Sequence, residues 1–147
     1  MIINTRPKNL SGNLISLCEA QEIALNNIYL SKINSINPSK VAIDKIKNIH
    51  SYSNLIFTSQ AAASYGLDIL KSFFDLDVLP HNFLSVGPAT SNRLLESGIK
   101  SHFPQSHSSE GILELIENSF LGKSLLFCGE NSNGFLQQKL KASLDEI

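Results

Sequence analysis

Short apolar runs, each followed by small polar residues and then by a stretch of helical spacing, are the feature that most restricts how this chain can fold. Such runs occupy residues 2–5, 55–57, 83–86 and 123–128. The stretches between them repeat apolar residues at steps of three and four, as in Ala63, Leu67, Leu70 and Phe74. Strands that alternate with helices imply crossover connections. The sequence therefore predicts an α/β fold, flavodoxin-like in style, with a mostly parallel sheet and helices on both faces.

Three further segments receive more specific predictions. Residues 28–36 alternate apolar and polar side chains, which predicts an exposed strand or connector with one covered face. The segment after Pro7 predicts a helix with one apolar face, and the end of the chain predicts a helix that continues to the last residue. The first helix face is Leu10, Leu14, Leu17 and Ala20, and the last is Phe135, Leu136 and Leu140.

Composition removes several classes of function. The 147 residues carry 12 Lys and Arg against 13 Asp and Glu, a formal net charge of -1, so no general cationic field is available to bind nucleic acid. Two cysteines are too few for a disulfide framework and indicate a reducing cytosol. No apolar run reaches the ~18 residues of a membrane span, and no signal-peptide core precedes Arg6. We therefore expect a cytoplasmic protein without nucleic-acid or membrane partners.

Four loops that follow the predicted strands are rich in small residues or hydroxyls. In parallel sheets, ligands bind at the carboxyl ends of the strands, where backbone N–H groups and helix dipoles favour anions. A ligand with several carboxylates would suit such loops. The alternative is that residues such as Ser59 and Ser109 only cap helices. The loops are 5–7, 58–60, 87–90 and 129–132.

Standard catalytic and metal-binding patterns are missing. The sequence has no phosphate-binding loop, dinucleotide fingerprint or nucleophile elbow, and the spacing of His102 and His107 does not suit a metal site. Cys128 follows a strand without an obvious base nearby, and Cys18 is expected to be a small core residue. Glu110 and its acidic neighbours at steps of four and three indicate a solvated helix face.

Five motifs in order resemble the uroporphyrinogen-III synthase family. They are NTRP at residues 4–7, LIFTSQAA at 55–62, SVGPATSNRLLESGI at 85–99, SSEGILELI at 108–116 and KSLLFCGENS at 123–132. The resemblance runs from Ile2 to the end of the chain. Members of this family are lyases that close the linear tetrapyrrole hydroxymethylbilane to uroporphyrinogen III, with loss of water and inversion of the last pyrrole ring, and they use no metal or organic cofactor.

The resemblance also implies which residues bind substrate. By motif these are Thr5, Arg6, Ser59, Gln60, Gly87, Ala89, Thr90 and Gly129. From its position alone, Arg6 can equally be a carboxylate clamp or a surface residue. The proton donor for loss of the hydroxyl is not assigned, because the family's usual candidate is a tyrosine on a later connector strand.

The resemblance implies a division of the chain at its connector. Residues 1–36 would be a βα unit of an incomplete first domain plus a connector strand, and residues 37–147 a second α/β domain lacking its final strand. An isolated βα unit buries little apolar area, so we expect it to dock differently or to pair with another chain. The alternative to an active lyase is a truncated, non-catalytic module of the same family that binds a small molecule or a partner.

Overall fold

A computed structural model describes residues 1–130, 132, 134–139 and, for the backbone alone, 144–146. The chain forms two compact units, Met1–Ile36 and Asn37–Ile147. Parallel strands with interleaved helices build both of them, so the α/β prediction is confirmed. In the described part of the chain, no helix combines the length and the apolar character needed to cross a membrane.

The first unit contains two short parallel strands around one helix. Strand β1 (Ile2–Asn4) is followed by a 3₁₀ turn at Lys8–Leu10, helix α1 (Gly12–Ala20) and strand β2 (Leu25–Asn27). Strands β1 and β2 pair directly, with Ile2 opposite Leu25. The first unit therefore contains a second strand in addition to the predicted βα elements. Strand β2 escapes sequence analysis because Leu25 is its only apolar residue.

Helix α1 forms where the spacing predicts it, but with a different buried face. Cys18 is buried, as predicted, whereas Leu17 is 60% exposed and Ala20 is also exposed. The covered side follows Ser11, Leu14, Ile15 and Cys18, a set that fits helical steps equally well. Position 17 of the predicted face therefore points to solvent.

The predicted connector strand is also absent. Residues 28–36 form no regular strand, and Ile28, Leu30 and Ile36 are exposed, so the alternation does not produce a covered face. Pairing of the first unit with another chain stays a prediction.

The second unit is a four-stranded parallel sheet between two layers of helices. Its elements are α2 (Lys40–Lys47), β3 (Asn54–Phe57), α3 (Gln60–Lys71), β4 (Asn82–Ser85), α4 (Pro88–Leu95), α5 (Ser109–Ser119), β5 (Ser124–Phe127), α6 (Phe135–Lys139) and β6 (Leu144–Glu146). The spatial order is β4-β3-β5-β6. Numbered within this unit, the order is 2-1-3-4, the beginning of the flavodoxin-like pattern.

Alternate residues of each central strand face opposite helical layers, because side chains on a strand alternate in direction. On one face, Leu55, Phe57 and Leu125 pack with residues of α2, α3 and α4. On the other, Ile56 and Leu126 pack with α5 and α6. This two-sided burial explains why the strands read as continuous apolar runs.

The end of the chain differs from the prediction. Helix α6 ends at Lys139, and the backbone of residues 144–146 pairs in parallel with β5, with Leu144 opposite Ser124. The prediction of a helix to the last residue, with the final strand missing, is therefore wrong. Leu140, predicted on the last helix face, lies outside the described residues.

Candidate functional site

The carboxyl edge of the four-stranded sheet gathers the loops that follow β3, β4 and β5. Backbone hydrogen bonds hold the strand ends together: Val86 N–H donates to the Phe57 carbonyl at 3.3 Å, and Thr58 N–H donates to the Phe127 carbonyl at 3.2 Å. The Thr58 hydroxyl donates to the same Phe127 oxygen at 3.3 Å. The three loops therefore have fixed positions relative to one another.

A crevice is expected between β3 and β5, because the connections from these neighbouring strands leave toward opposite faces of the sheet. Helix α3, which follows β3, packs on the Phe57 face, whereas α6, which follows β5, packs on the Ile56 face. Open α/β sheets bind their ligands at this kind of reversal in strand order. Thr58 and Cys128 are the first residues after the two strands.

The loop after β3 caps its helix with a side chain. Ser59 is the N-cap of α3, and its hydroxyl oxygen accepts a hydrogen bond from Ala62 N–H at 3.1 Å. Ser59 is exposed and Gln60 is half-buried. Capping alone thus accounts for the Ser59 oxygen in this structure.

The loop after β4 leaves a helix N-terminus open. Gly87 is the N-cap of α4 and supplies no side chain, and Pro88 follows at the first helical position. Within the described residues, the backbone N–H groups of Gly87, Ala89 and Thr90 have no hydrogen-bond acceptor. Ala89 is exposed, whereas Thr90 is largely buried.

The remaining loops at this edge are those before α5 and after β5. Ser108, not Ser109, is the N-cap of α5, with its hydroxyl oxygen accepting from Gly111 N–H at 3.1 Å. Gly129 is exposed, and no atom of the described residues lies within 4 Å of the position that a Cβ would occupy there. In the turn that follows, Ser132 N–H donates to the Gly129 carbonyl at 3.0 Å.

Thr5 and Arg6 belong to the first unit, where they follow β1. The side chain of Asn4 organises this loop: its Oδ1 accepts from Arg6 N–H at 3.1 Å, and its Nδ2 donates to Asn27 Oδ1 on β2 at 2.7 Å. Thr5 and Arg6 are both exposed. Among the described residues, the Arg6 guanidinium has no acidic partner.

Comparison with known proteins agrees with this architecture. The model of the family described as uroporphyrinogen-III synthase HemD matches residues 23–146. The chain belongs to the uroporphyrinogen-III synthase family. A search of curated proteins finds no match.

Solved structures of uroporphyrinogen III synthase from Thermus thermophilus share the fold. The wild-type enzyme matches with a TM-score of 0.61 at 14% sequence identity, over 99% of this chain and 59% of that chain. A mutant selenomethionine derivative gives 0.64 at 13% identity, over 99% and 60% of the two chains. The present chain thus spans about three fifths of the length of these structural relatives.

The family resemblance is therefore confirmed, and six of its eight implied site residues lie at one sheet edge. Thr58 belongs to the predicted loop 58–60. His107 also lies at this edge, beside Gly87, where sequence analysis did not place it. In the described part of the chain, no three His, Cys, Asp or Glu side chains lie close enough to hold a metal ion.

Proposed function

We propose that this protein takes part in the uroporphyrinogen-III synthase reaction, binding hydroxymethylbilane and directing its closure to uroporphyrinogen III with loss of water. The observation that carries the proposal is the open N-terminus of α4 at the carboxyl edge, in a chain of this family. Three backbone N–H groups without acceptors favour an anion there. The substrate supplies such anions, since every pyrrole ring bears an acetate and a propionate.

The proposed role of the site is to hold a flexible substrate in one conformation. Uncatalysed closure gives the isomer in which the last ring is not inverted, so the protein must favour the geometry for inversion. We assign substrate binding to the loops rather than to a nucleophile, and we invoke no cofactor. The proposed binding residues are Thr5, Arg6, Ser59, Gln60, Gly87, Ala89, Thr90 and Gly129. We place the reaction in a reducing cytosol, where Cys18 and Cys128 would stay unlinked by a disulfide.

The deciding assay generates hydroxymethylbilane in situ and separates the type I and type III products by chromatography. Type III product above the protein-free control supports the proposal. Type I alone, together with binding of uroporphyrin, would instead identify a non-catalytic binding module of the same family.

A pair of substitutions at Ala89 tests the binding edge without disturbing the fold. Ala89 is exposed in the first turn of α4, where an acidic residue stabilises the helix by roughly 0.3–1 kcal/mol. Ala89→Asp places a carboxylate where the substrate's carboxylates would bind, so it should raise the KM by about tenfold or more while unfolding free energy stays equal or rises. Ala89→Asn, its neutral isostere, should change the KM by less than about threefold. Equal KM values for the two variants would rule out anion binding at this helix.

A further inference from the structure

We infer that the first unit is a dimer interface, in which one face of the β1–β2 sheet packs on the same face of a second copy of the chain. This inference goes beyond the proposed function, because it concerns a surface of Met1–Ile36 and not the loops at the edge of the four-stranded sheet. Two observations carry it: the exposed apolar side chains of the small sheet, and the placement of charges at its two ends.

One face of the β1–β2 sheet is covered and the other is not. Asn4 is 2% exposed, whereas its neighbour Ile3 is 54% exposed, and successive side chains of a strand point to opposite faces. Parallel sheets occur almost only with both faces covered. Residues 1–36, all of which the structure describes, supply one α-helix, α1. The face that carries Ile3 therefore lacks the second layer that a parallel sheet requires.

The uncovered face is apolar. Asn26 lies opposite Ile3, so Ile28, two residues further along, lies on the same face. Ile28 N–H donates to the Asn4 carbonyl at 2.9 Å, which continues the pairing of the two strands by one residue. Ile28 is 45% exposed, and Leu30, which follows it, is 74% exposed. Neighbouring exposed apolar side chains of this kind mark an interaction surface.

The charges of the first unit divide between the two ends of its sheet. The unit contains five charged side chains, all exposed. The basic ones follow the carboxyl ends of the strands, Arg6 and Lys8 after β1 and Lys32 after β2. The acidic ones, Glu19 and Glu22, precede the amino end of β2. The sheet is therefore basic at its carboxyl end and acidic at its amino end.

This division favours a second copy as the occupant of the face. With a twofold axis between the two sheets and perpendicular to the strands, the strands of the two copies run in opposite directions. The acidic end of each copy then meets the basic end of the other, and this contact occurs twice. Residues 1–5 and 23–31 contain no charged side chain, so the apolar middle of the face can be buried without an unpaired charge.

The first measurement is the dissociation constant of the dimer, by sedimentation equilibrium of the full chain. The face is smaller than the surface of about 800 Å² per partner in a standard interface, so we expect a weak dimer with a Kd on the order of 10–100 µM. A monomer at every concentration up to about 1 mM would overturn the inference.

A charge placed in the middle of the face tests its position. Ile3→Lys should raise the Kd of the dimer by about tenfold or more, because the lysine would be buried without a partner. Leu121→Lys is the matched control, since Leu121 is 78% exposed in the second unit, and it should leave the Kd unchanged. A dimer that Ile3→Lys leaves as tight as that of the unmodified protein would overturn the inference.

Exchange of charges tests the orientation and leaves the apolar face intact, so it stays informative even if Ile3→Lys does not fold. One variant carries Glu19→Lys with Glu22→Lys, and the other carries Lys8→Glu with Lys32→Glu. Each alone should dimerise about fivefold more weakly than the unmodified protein, because like charges meet. An equimolar mixture of the two variants should form a heterodimer at least as tight as the unmodified dimer. Two variants that dimerise normally alone, or a mixture that gains no affinity, would contradict the antiparallel arrangement.

Discussion

Replacement of Gly66 by alanine should destabilise the second unit, although the same change in an exposed helix is stabilising. Gly66 lies in α3, and a Cβ added there would be 2.7 Å from Phe127 Cδ1 and 3.0 Å from Phe57 Cε1. The two rings stack with centroids 4.6 Å apart and an angle of 8° between their planes. Both are at least 98% buried, so neither ring can swing into solvent.

The magnitude follows from two opposing terms. Alanine gains about 1 kcal/mol over glycine in helix propensity. Relief of the contact requires α3 or the rings to move by about 0.7 Å, the difference between 2.7 Å and ordinary contact at 3.4 Å. Overpacking of this kind costs about 1–3 kcal/mol, and contact with two rings places it toward the upper end. We expect a net loss of about 1–2 kcal/mol in the free energy of unfolding.

Urea denaturation of the unmodified protein and Gly66→Ala measures this difference. Gly129→Ala is the control, because no described atom lies within 4 Å of its added methyl group. Its free energy of unfolding should change by less than about 0.5 kcal/mol. In a Phe127→Leu background, Gly66→Ala should be less costly, since the nearer ring is gone. A Gly66→Ala protein as stable as the parent would refute the steric argument.

Three further predictions concern the polar groups of the second unit. Asn54 is fully buried, and its Nδ2 donates to the Phe120 carbonyl at 2.7 Å. Asn54→Ala should therefore lower the free energy of unfolding, measured by urea titration, by about 2–3 kcal/mol. A loss below about 0.5 kcal/mol would contradict this. Ser59→Ala should cost about 1 kcal/mol by removing the cap on Ala62 N–H, whereas Ser59→Asp should restore it. Burial lowers the pKa of His81 below its ordinary 6.5, so the unfolded chain binds the proton more tightly than the folded one, and the free energy of unfolding should fall as the pH drops through 6.5 and below. His81→Gln should weaken the pH dependence of the urea denaturation midpoint between pH 5 and 8. The same pH dependence in His81→Gln and the unmodified protein would contradict the assignment.

Local patterns predicted the strand-end loops well, because a buried parallel strand and the loop after it have a distinctive composition. The run 55–57 and the cap at Ser59 lie where the sequence places them. Gly98, shortly after α4, adopts the left-handed conformation that glycine commonly supplies at helix ends, with a φ of +83°. Glu114 and its acidic neighbours are exposed, as their spacing indicates.

The sequence-based predictions were wrong where the spacing of apolar residues was too short to identify an element or fitted two alternatives equally well. Strand β2 has one apolar residue among three, which no periodicity can distinguish from a loop. The faces of α1 that contain Leu17 or Cys18 satisfy the same helical spacing, and only packing decides between them. The alternation over residues 28–36 resembled a strand, yet no neighbouring strand pairs with it in the described structure.

By itself, the sequence determined the α/β class, the family and the loops that meet at the sheet edge, since all three depend on local spacing and on motifs. The tertiary structure decided the strand order, the open end of α4 and the position of His107 beside Gly87. Those features depend on contacts between residues far apart in the chain. Such contacts form only when strands pair and helices pack against the sheet.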